Sequence, residues 1–277
     1  MEAVRVESIR YVYPDGTVGL EEASLTIEEG EFLAFIGQNG SGKTTLAKNI
    51  AGLLKPTEGR VLVYGQDTRE VPMSKMATLV GYIFQNPDHQ LFNQTVYDEI
   101  AYGPRNLKLP EDEVEERVRE AMEIVGLPES FREGHPFFLT RGLRQRVAIA
   151  SILAMRPRVI IVDEPTTGQD FRQSIDIMDF LLKLNREHGH TIVIITHDMP
   201  IVAKYAQRTV VMAWGRILLD GPTRWVFSQV EVLAEAHIKP PQVTRLAQRL
   251  ADLGVPPDVL TVEEMVGAVE ALLSRSQ

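Results

Sequence analysis

The run Gly37-Gln38-Asn39-Gly40-Ser41-Gly42-Lys43-Thr44 constrains this chain more than any other stretch. It fits G-x-x-x-x-G-K-[ST], a loop that wraps nucleotide phosphates when it joins a strand to a helix. Both neighbours are present. Upstream, Phe32-Leu33-Ala34-Phe35-Ile36 is a short apolar run of the kind a buried parallel strand shows. Downstream, Thr44 to Leu54 places Leu46, Ala47, Ile50, Ala51 and Leu54 at helical spacing. Strand, loop and helix together aim backbone N–H groups and a helix N-terminus at one point, where a triphosphate would lie. Gly40 and Gly42 let the backbone approach phosphate without a Cβ in the way. Lys43 is placed to reach the β- and γ-phosphates, and the Thr44 hydroxyl to ligate Mg²⁺. These residues imply a binder of a nucleoside triphosphate.

Composition narrows the class. At 277 residues the chain can bury a full core, as one large domain or two smaller ones. Its formal charge of −9, from 29 basic and 38 acidic residues, opposes a nucleic-acid-binding surface. With no cysteine there is neither a disulfide nor a thiolate metal site, which suits a reducing compartment. Met1 to Arg10 carries Glu2, Arg5, Glu7 and Arg10 and lacks the apolar stretch of a signal peptide. No apolar run approaches the ~20 residues of a membrane-spanning helix. A soluble, cytoplasmic protein is expected.

Along the chain, Val4-Arg5-Val6-Glu7 alternates like a half-buried strand, Tyr13-Pro14-Asp15-Gly16 reads as a turn, and Leu25-Thr26-Ile27 resumes the strand pattern. Tyr11 and Tyr13 lie at a distance upstream from which an aromatic could stack on a base; sheet packing is the reading favoured for Tyr11. Val61 to Tyr64 and Val80 to Phe84 are further strands, the second delivering Gln85 and then Asn86-Pro87. From Pro110 the pattern turns helical: Val114, Val118, Ala121, Met122 and Val125 share a face, and Gly126 stops it. Glu111-Asp112-Glu113 falls in the first turn of that helix, where its dipole favours negative charge. Leu143 to Met155 predicts a second helix, with Arg144 and Arg146 near its start.

Val159-Ile160-Ile161-Val162-Asp163-Glu164-Pro165 is an apolar strand ending in adjacent acids. After a phosphate loop, that pattern assigns Asp163 to Mg²⁺ and Glu164 to orienting and polarising the attacking water. Thr191 to Thr196 is one more buried strand, ending at His197-Asp198. A histidine at the C-terminal edge of a parallel strand faces the ligand crevice, within reach of a γ-phosphate.

These residues, in this order, resemble the nucleotide-binding subunit of an ABC transporter over roughly the first 230 residues. The resemblance implies an α/β phosphate-loop fold: a RecA-like core around a mainly parallel sheet, an antiparallel β subdomain before it, and a helical subdomain at about 86–156. It makes 1–235 the ATP-binding domain and 236–277 a small helical extension. It implies ATP and Mg²⁺ as ligands, with Tyr13 as the adenine-stacking aromatic and Gly37 to Thr44, with Thr45 beside it, as the Walker A loop. Gln85 becomes the Q-loop glutamine that touches the metal and the catalytic centre. Asp163 and Glu164 become Walker B and its catalytic glutamate, Gly168-Gln169-Asp170 the D-loop, and His197 the switch histidine. A narrower resemblance joins Gln85-Asn86-Pro87-Asp88-His89-Gln90-Leu91-Phe92, the Tyr13-Pro14-Asp15-Gly16 turn and the tail from Pro240-Pro241-Gln242-Val243 to energy-coupling factor ATPases. That group drives vitamin or transition-metal-ion uptake from the cytoplasmic face of the cell membrane, as a peripheral subunit. Its partners are a transmembrane coupling protein, a substrate-binding membrane component and a second ATPase. The tail reads as two short helices, the second opened by a capping box at Thr261-Val262-Glu263-Glu264. In the family it helps hold two ATPases together.

One departure stands out. Family members carry Leu-Ser-Gly-Gly-Gln where this chain has Leu139-Thr140-Arg141-Gly142-Leu143. In the family this signature segment acts in trans, on the γ-phosphate held by the partner's Walker A loop. Arg141 adds bulk where backbone must approach phosphate closely, and it adds a charge that binds phosphate well. The expectation is asymmetry: a competent site when another ATPase supplies an intact signature, a weak reciprocal site, and hence a heterodimer. Two rival readings remain at this level, an ATP-binding regulatory subunit without hydrolysis and a soluble ABC-type ATPase acting on DNA or ribosomes.

Overall fold

The computed structural model describes residues 1–275. In chain order the elements are β1 (Glu2–Val12), β2 (Val18–Glu28), β3 (Phe32–Ile36), α1 (Lys43–Ile50), β4 (Glu58–Val63), β5 (Gln66–Asp67), α2 (Met73–Met76) and β6 (Val80–Ile83). Three helices follow, α3 (Val96–Asn106), α4 (Glu111–Ile124) and α5 (Arg141–Leu153). The chain then returns through β7 (Val159–Asp163), α6 (Phe171–His188), β8 (Thr191–Ile195), α7 (Met199–Tyr205), β9 (Arg208–Ala213) and β10 (Arg216–Pro222). It ends with α8 (Thr223–Ser228), α9 (Val230–Glu235), α10 (Gln242–Arg249) and α11 (Val262–Arg275).

The strands form one 10-stranded sheet in the order β5-β4-β1-β2-β10-β9-β3-β8-β7-β6. The run β9-β3-β8-β7-β6 is parallel throughout, and β5-β4-β1-β2 is antiparallel. The two regions meet where β10 pairs with β2 through the single register pair Arg216↔Glu22.

The apolar run expected as a buried strand is one. All five residues of β3 are buried, and they alternate between two cores. Phe32, Ala34 and Ile36 face the layer built by α3 to α7, while Leu33 and Phe35 face β1, β2 and α1. Ile160 and Val162 of β7 and Ile192 and Ile194 of β8 share the first core; Val159, Ile161, Val193 and Ile195 share the second. Covered on both faces, these strands need no polar positions, hence the near-continuous Ile/Val runs. Each such side chain contributes about 1.5–3 kcal/mol on burial.

Several boundaries move from the sequence reading. α5 begins at Arg141 rather than Leu143, so Arg141, Gly142 and Leu143 form its first turn and Thr140 its N-cap position. β6 ends at Ile83, before Phe84 and Gln85. The helix of residues 111–124 and its stop at Gly126, with φ 66°, lie where the periodicity put them. In the tail, α10 and α11 are the two expected helices, enclosing a small cluster of Ala247, Val255, Val259 and Met265. Thr261 Oγ1 accepts from Glu264 N at 3.2 Å, as in a capping box, but the Glu264 carboxylate reaches Leu260 N (2.8 Å) and Arg224 (2.7 Å). Among the described residues no helix is long and apolar enough to cross a membrane.

β6, at the sheet edge, approaches α5 closely. A Cβ on Gly81 would overlap Ile152 Cγ2 and lie 3.1 Å from Pro157 Cγ. Gly81→Val is therefore expected to destabilise the chain by about 1–3 kcal/mol through overpacking. Urea unfolding measures this, and an unchanged midpoint would mean that the β6–α5 gap can open at no cost.

Candidate functional site

The parallel strands end on one side of the sheet, and each delivers a polar group there. β3 runs into the glycine loop, β6 into Gln85, β7 into Asp163 and Glu164, and β8 into His197. A crevice at the carboxyl ends of parallel strands is where open α/β sheets bind ligands. Here it is a cleft of about 670 Å³ whose lining includes Tyr13, Lys43, Gln85, Asp163, Glu164 and His197.

The loop is built as its sequence demands. Gly42 has φ 102°, and a Cβ there would meet Gly19 O at 2.9 Å, so only glycine lets the loop pack against β2 while α1 starts at Lys43. Lys43 is buried, its Nζ donating to the carbonyls of Gly37 and Gln38, both at 2.8 Å, and to Ser41 Oγ at 3.3 Å. Burial pushes this ammonium below its ordinary pKa, while the Glu164 and Asp163 carboxylates pull it back up. Asn39, Gly40, Ser41, Gly42, Thr44 and Thr45 face the cleft; Gly37 and Gln38 lie behind Lys43 and act through their carbonyls. A dry cation beneath a cradle of backbone N–H groups suits a polyanion, so the loop fits a nucleotide phosphate.

Across the cleft, Asp163 Oδ2 accepts from Thr44 Oγ1 at 3.3 Å and from Tyr82 Oη at 2.7 Å. One carboxylate and one hydroxyl are hard oxygen donors, few in number, which fits Mg²⁺, an ion that keeps waters and takes phosphate oxygens. Tyr82 was not singled out from sequence. It pairs in register with Ile161, which shares its face of β7 with Asp163, so strand parity alone places phenol and carboxylate on one face once the pairing is known. Burial and the neighbouring carboxylate raise the Tyr82 pKa, so the phenol keeps the proton it donates.

Glu164 follows with φ 51°, a left-handed conformation that is rare for a side chain of this size. Its carboxylate accepts from Thr167 Oγ1 at 3.2 Å and lies 2.9 Å from His197 Nδ1. The Glu164 side chain is 12% exposed and that of His197 68%, so the acid is sheltered while the histidine stands in the open mouth. Thr167, like Tyr82, escaped the sequence reading.

Tyr13 lies at the rim, its hydroxyl sharing a 2.8 Å hydrogen bond with Thr45 Oγ1 and its ring edge-on to Tyr11 with centroids 4.9 Å apart. Tyr11 belongs to the sheet core. Gln85 is exposed on the cleft wall beside His89. The segment Leu139, Thr140, Arg141, Gly142 and Leu143 is absent from the lining of this chain's own cleft. Arg141 is not free: its Nη2 donates to Thr167 O at 2.9 Å.

Comparison with known proteins follows the geometry. The ABC transporter family model matches residues 20–167. A provisionally named ABC transporter ATP-binding protein of Caldanaerobacter subterraneus is 50% identical across 96% of this chain, which spans only 46% of that relative. Two similar proteins from Methanosarcina are spanned for 44% and 45% of their lengths, so the chain is about half as long as these relatives. Other relatives match end to end. The energy-coupling factor transporter ATP-binding protein EcfA2 of Clostridium perfringens is 40% identical, with 98% of this chain and 97% of the relative covered. The solved structure of cbiO1 from Clostridium perfringens, part of the ABC transporter complex cbiONQ, superposes with a TM-score of 0.75 at 38% identity, over 88% of this chain and 98% of that one. A phosphate loop, a strand-end acid pair and a histidine meeting in one cleft, together with these matches, place the chain in the ABC transporter ATP-binding family, among the energy-coupling factor ATPases.

Proposed function

We propose that this chain hydrolyses ATP to drive an energy-coupling factor type importer, bound peripherally at the cytoplasmic face of a membrane. The observation that carries the reading is the pairing of the sheltered Glu164 carboxylate with His197, 2.9 Å apart, across one cleft from the buried Lys43. The triphosphate of ATP would lie on the Gly37–Thr45 loop with its base at Tyr13. Lys43 would exchange its loop carbonyls for β- and γ-phosphate oxygens, where charge builds during transfer. Mg²⁺ would neutralise phosphate charge, with Thr44, Asp163 and Gln85 as the residues that hold it. Glu164 would orient the attacking water and polarise its O–H bond, with His197 and Thr167 fixing the direction of its carboxylate.

A second ATPase would complete the site in trans, and we infer a heterodimer. The Arg141 guanidinium is engaged on its own chain, which leaves this signature segment poorly equipped to serve a partner's phosphate. Three relatives are about twice this chain's length, which leaves each of them room for a second unit of its size. Residues 1–235 would form the ATP-binding unit and 236–277 the dimerising extension. On α11, Val262, Val266, Val269 and Leu273 remain exposed along one face while Met265 packs inward, a stripe suited to a partner ATPase. The membrane partner would dock at the groove of about 380 Å³ lined by Met73, Phe92, Tyr102 and Met155. Phe92 is 62% exposed there, edge-on to Tyr102, and lies at the end of the Gln85–Phe92 segment that starts in the nucleotide cleft. The transported solute would be a vitamin or transition-metal ion, selected by the membrane component.

Glu164→Gln is expected to keep ATP binding and to lose at least ~100-fold in turnover, the usual contribution of a positioned base. Equilibrium nucleotide binding and phosphate release measure the two, and retained turnover would reassign the base. Tyr82→Phe leaves Asp163 without its 2.7 Å donor. The Mg²⁺ concentration for half-maximal turnover should rise about tenfold, as when a ligand's supporting hydrogen bond is removed. A Mg²⁺ titration that superposes on wild type would exclude this role. Val266→Glu with Val269→Glu should weaken dimerisation in sedimentation velocity without lowering the unfolding temperature; unchanged association would clear α11 of the interface.

A further inference from the structure

Arg141 and Gln145 stand one turn apart on the same side of α5. Both reach the turn that follows β7. Arg141 Nη2 donates to Thr167 O at 2.9 Å. Gln145, only 6% exposed, donates from Nε2 to Pro165 O at 3.0 Å and accepts from Gln169 Nε2 at 2.7 Å. Alternate residues of the turn, Pro165, Thr167 and Gln169, are thus gripped from one helix face. Gly168 makes the approach possible: with φ 74° it lies flush beneath the guanidinium, and a Cβ there would overlap Arg141 Nη1 and sit 2.7 Å from Cζ.

The same turn carries the hydrolytic acid. Glu164 holds φ 51° at its start, the Thr167 N–H donates to Glu164 O at 3.2 Å, and Thr167 Oγ1 donates to the Glu164 carboxylate at 3.2 Å. A backbone in that region persists only where its surroundings over-determine it. The surroundings here are the Ile195 carbonyl of β8, which accepts from Glu164 N at 2.8 Å, His197 on one side of the carboxylate and the gripped Thr167 on the other.

We propose that Arg141 is a positioning residue for its own chain's Glu164: with Gln145 it clamps the turn of residues 165–169, and Thr167 passes that constraint to the carboxylate. The residue that replaces a signature glycine thereby serves the cis site. A guanidinium suits the task because it stays charged and its flat face rests on Gly168 while its edge donates. The inference rests on the reading of Glu164 as the group that polarises water.

Amide hydrogen exchange on the full chain, at a concentration low enough to keep it monomeric, tests the clamp without reference to hydrolysis. Arg141→Ala should speed exchange at Thr167 and Gln169 several-fold and leave Ala148 and Ile149 of α5 unchanged. Unaltered exchange in the 165–169 turn overturns the proposal. Steady-state kinetics on the chain paired with a second ATPase of intact signature tests the consequence. Arg141→Ala and Thr167→Val should each lower kcat about tenfold with KM for ATP unchanged, since a small misplacement of a reacting group is costly. Thr167→Ser should restore wild-type kcat, and the double variant should fall no further than Thr167→Val alone. Multiplicative losses, or a change confined to KM, would overturn the route through Thr167. An assembled pair with a second ATPase that binds ATP and releases no phosphate would defeat the hydrolytic reading, and the exchange result would still decide the clamp.

Discussion

The structure depends on the burial of β3, β7 and β8 on both faces. Apolar side chains alternate into a core above the sheet and a core below it, so these strands are fixed in register and direction from either side. What remains free is their carboxyl edge. There the apolar runs stop, and the residues that follow are polar because they leave the dry interior together. Loop, acid pair and histidine converge because parallel strands of matched length end side by side, although Gly37 and His197 are far apart in the chain. The convergence follows from packing.

Charge in the cleft is then arranged by what surrounds each group. Lys43 is desolvated and rests on carbonyl dipoles of its own loop, a cation held where an anion is wanted. Asp163 is tethered by two hydroxyls and Glu164 by a hydroxyl and an imidazole, so the adjacent acids meet different neighbours and point to different tasks. Glu164 takes its direction from a left-handed backbone angle, and both acids line the one cleft, where strand alternation would have sent them to opposite faces.

The glycine loop, the acid pair and the histidine of the cleft could be read from sequence because their signals are local. A glycine-lysine loop, an apolar strand ending in acids and a strand ending in histidine each announce themselves within about ten residues. Tyr82 and Thr167 carry no such signal: a tyrosine within a strand and a threonine in a turn gain meaning only from the β6–β7 register and from the fold of the turn. The start of α5 was misplaced because Thr140-Arg141-Gly142 contains a glycine and no side-chain cap, so the first turn is held by tertiary contacts rather than by propensity. The long helix α6 went unread although its ends are marked, by Asp170 accepting from Gln173 N at 2.9 Å and by Gly189 at φ 72°. Arg141 shows the limit best. Its charge invited a phosphate, and only the three-dimensional course of the chain after Pro165 puts Thr167 O within its reach.

The sheet is continuous, but its strand pairing narrows to one residue pair at a seam. Among the described residues, strand pairing joins the antiparallel arm to the parallel body through Arg216↔Glu22 alone. Other ties cross the same seam: side chains of β1 and β2 share a core with Leu33, Phe35 and α1, Arg158 lies over the Tyr64 ring and pairs with Glu29, Gly42 packs against Gly19, the Tyr13 hydroxyl meets Thr45, and Glu21 N donates to Gly215 O at 3.0 Å. Two of these ties, Gly42 against Gly19 and the Tyr13–Thr45 pair, line the nucleotide cleft. A base resting on Tyr13 and phosphates resting on the loop would touch both banks of the seam, so the ligand would add one more tie between them. Grip on the nucleotide and stiffness across the seam would then be coupled.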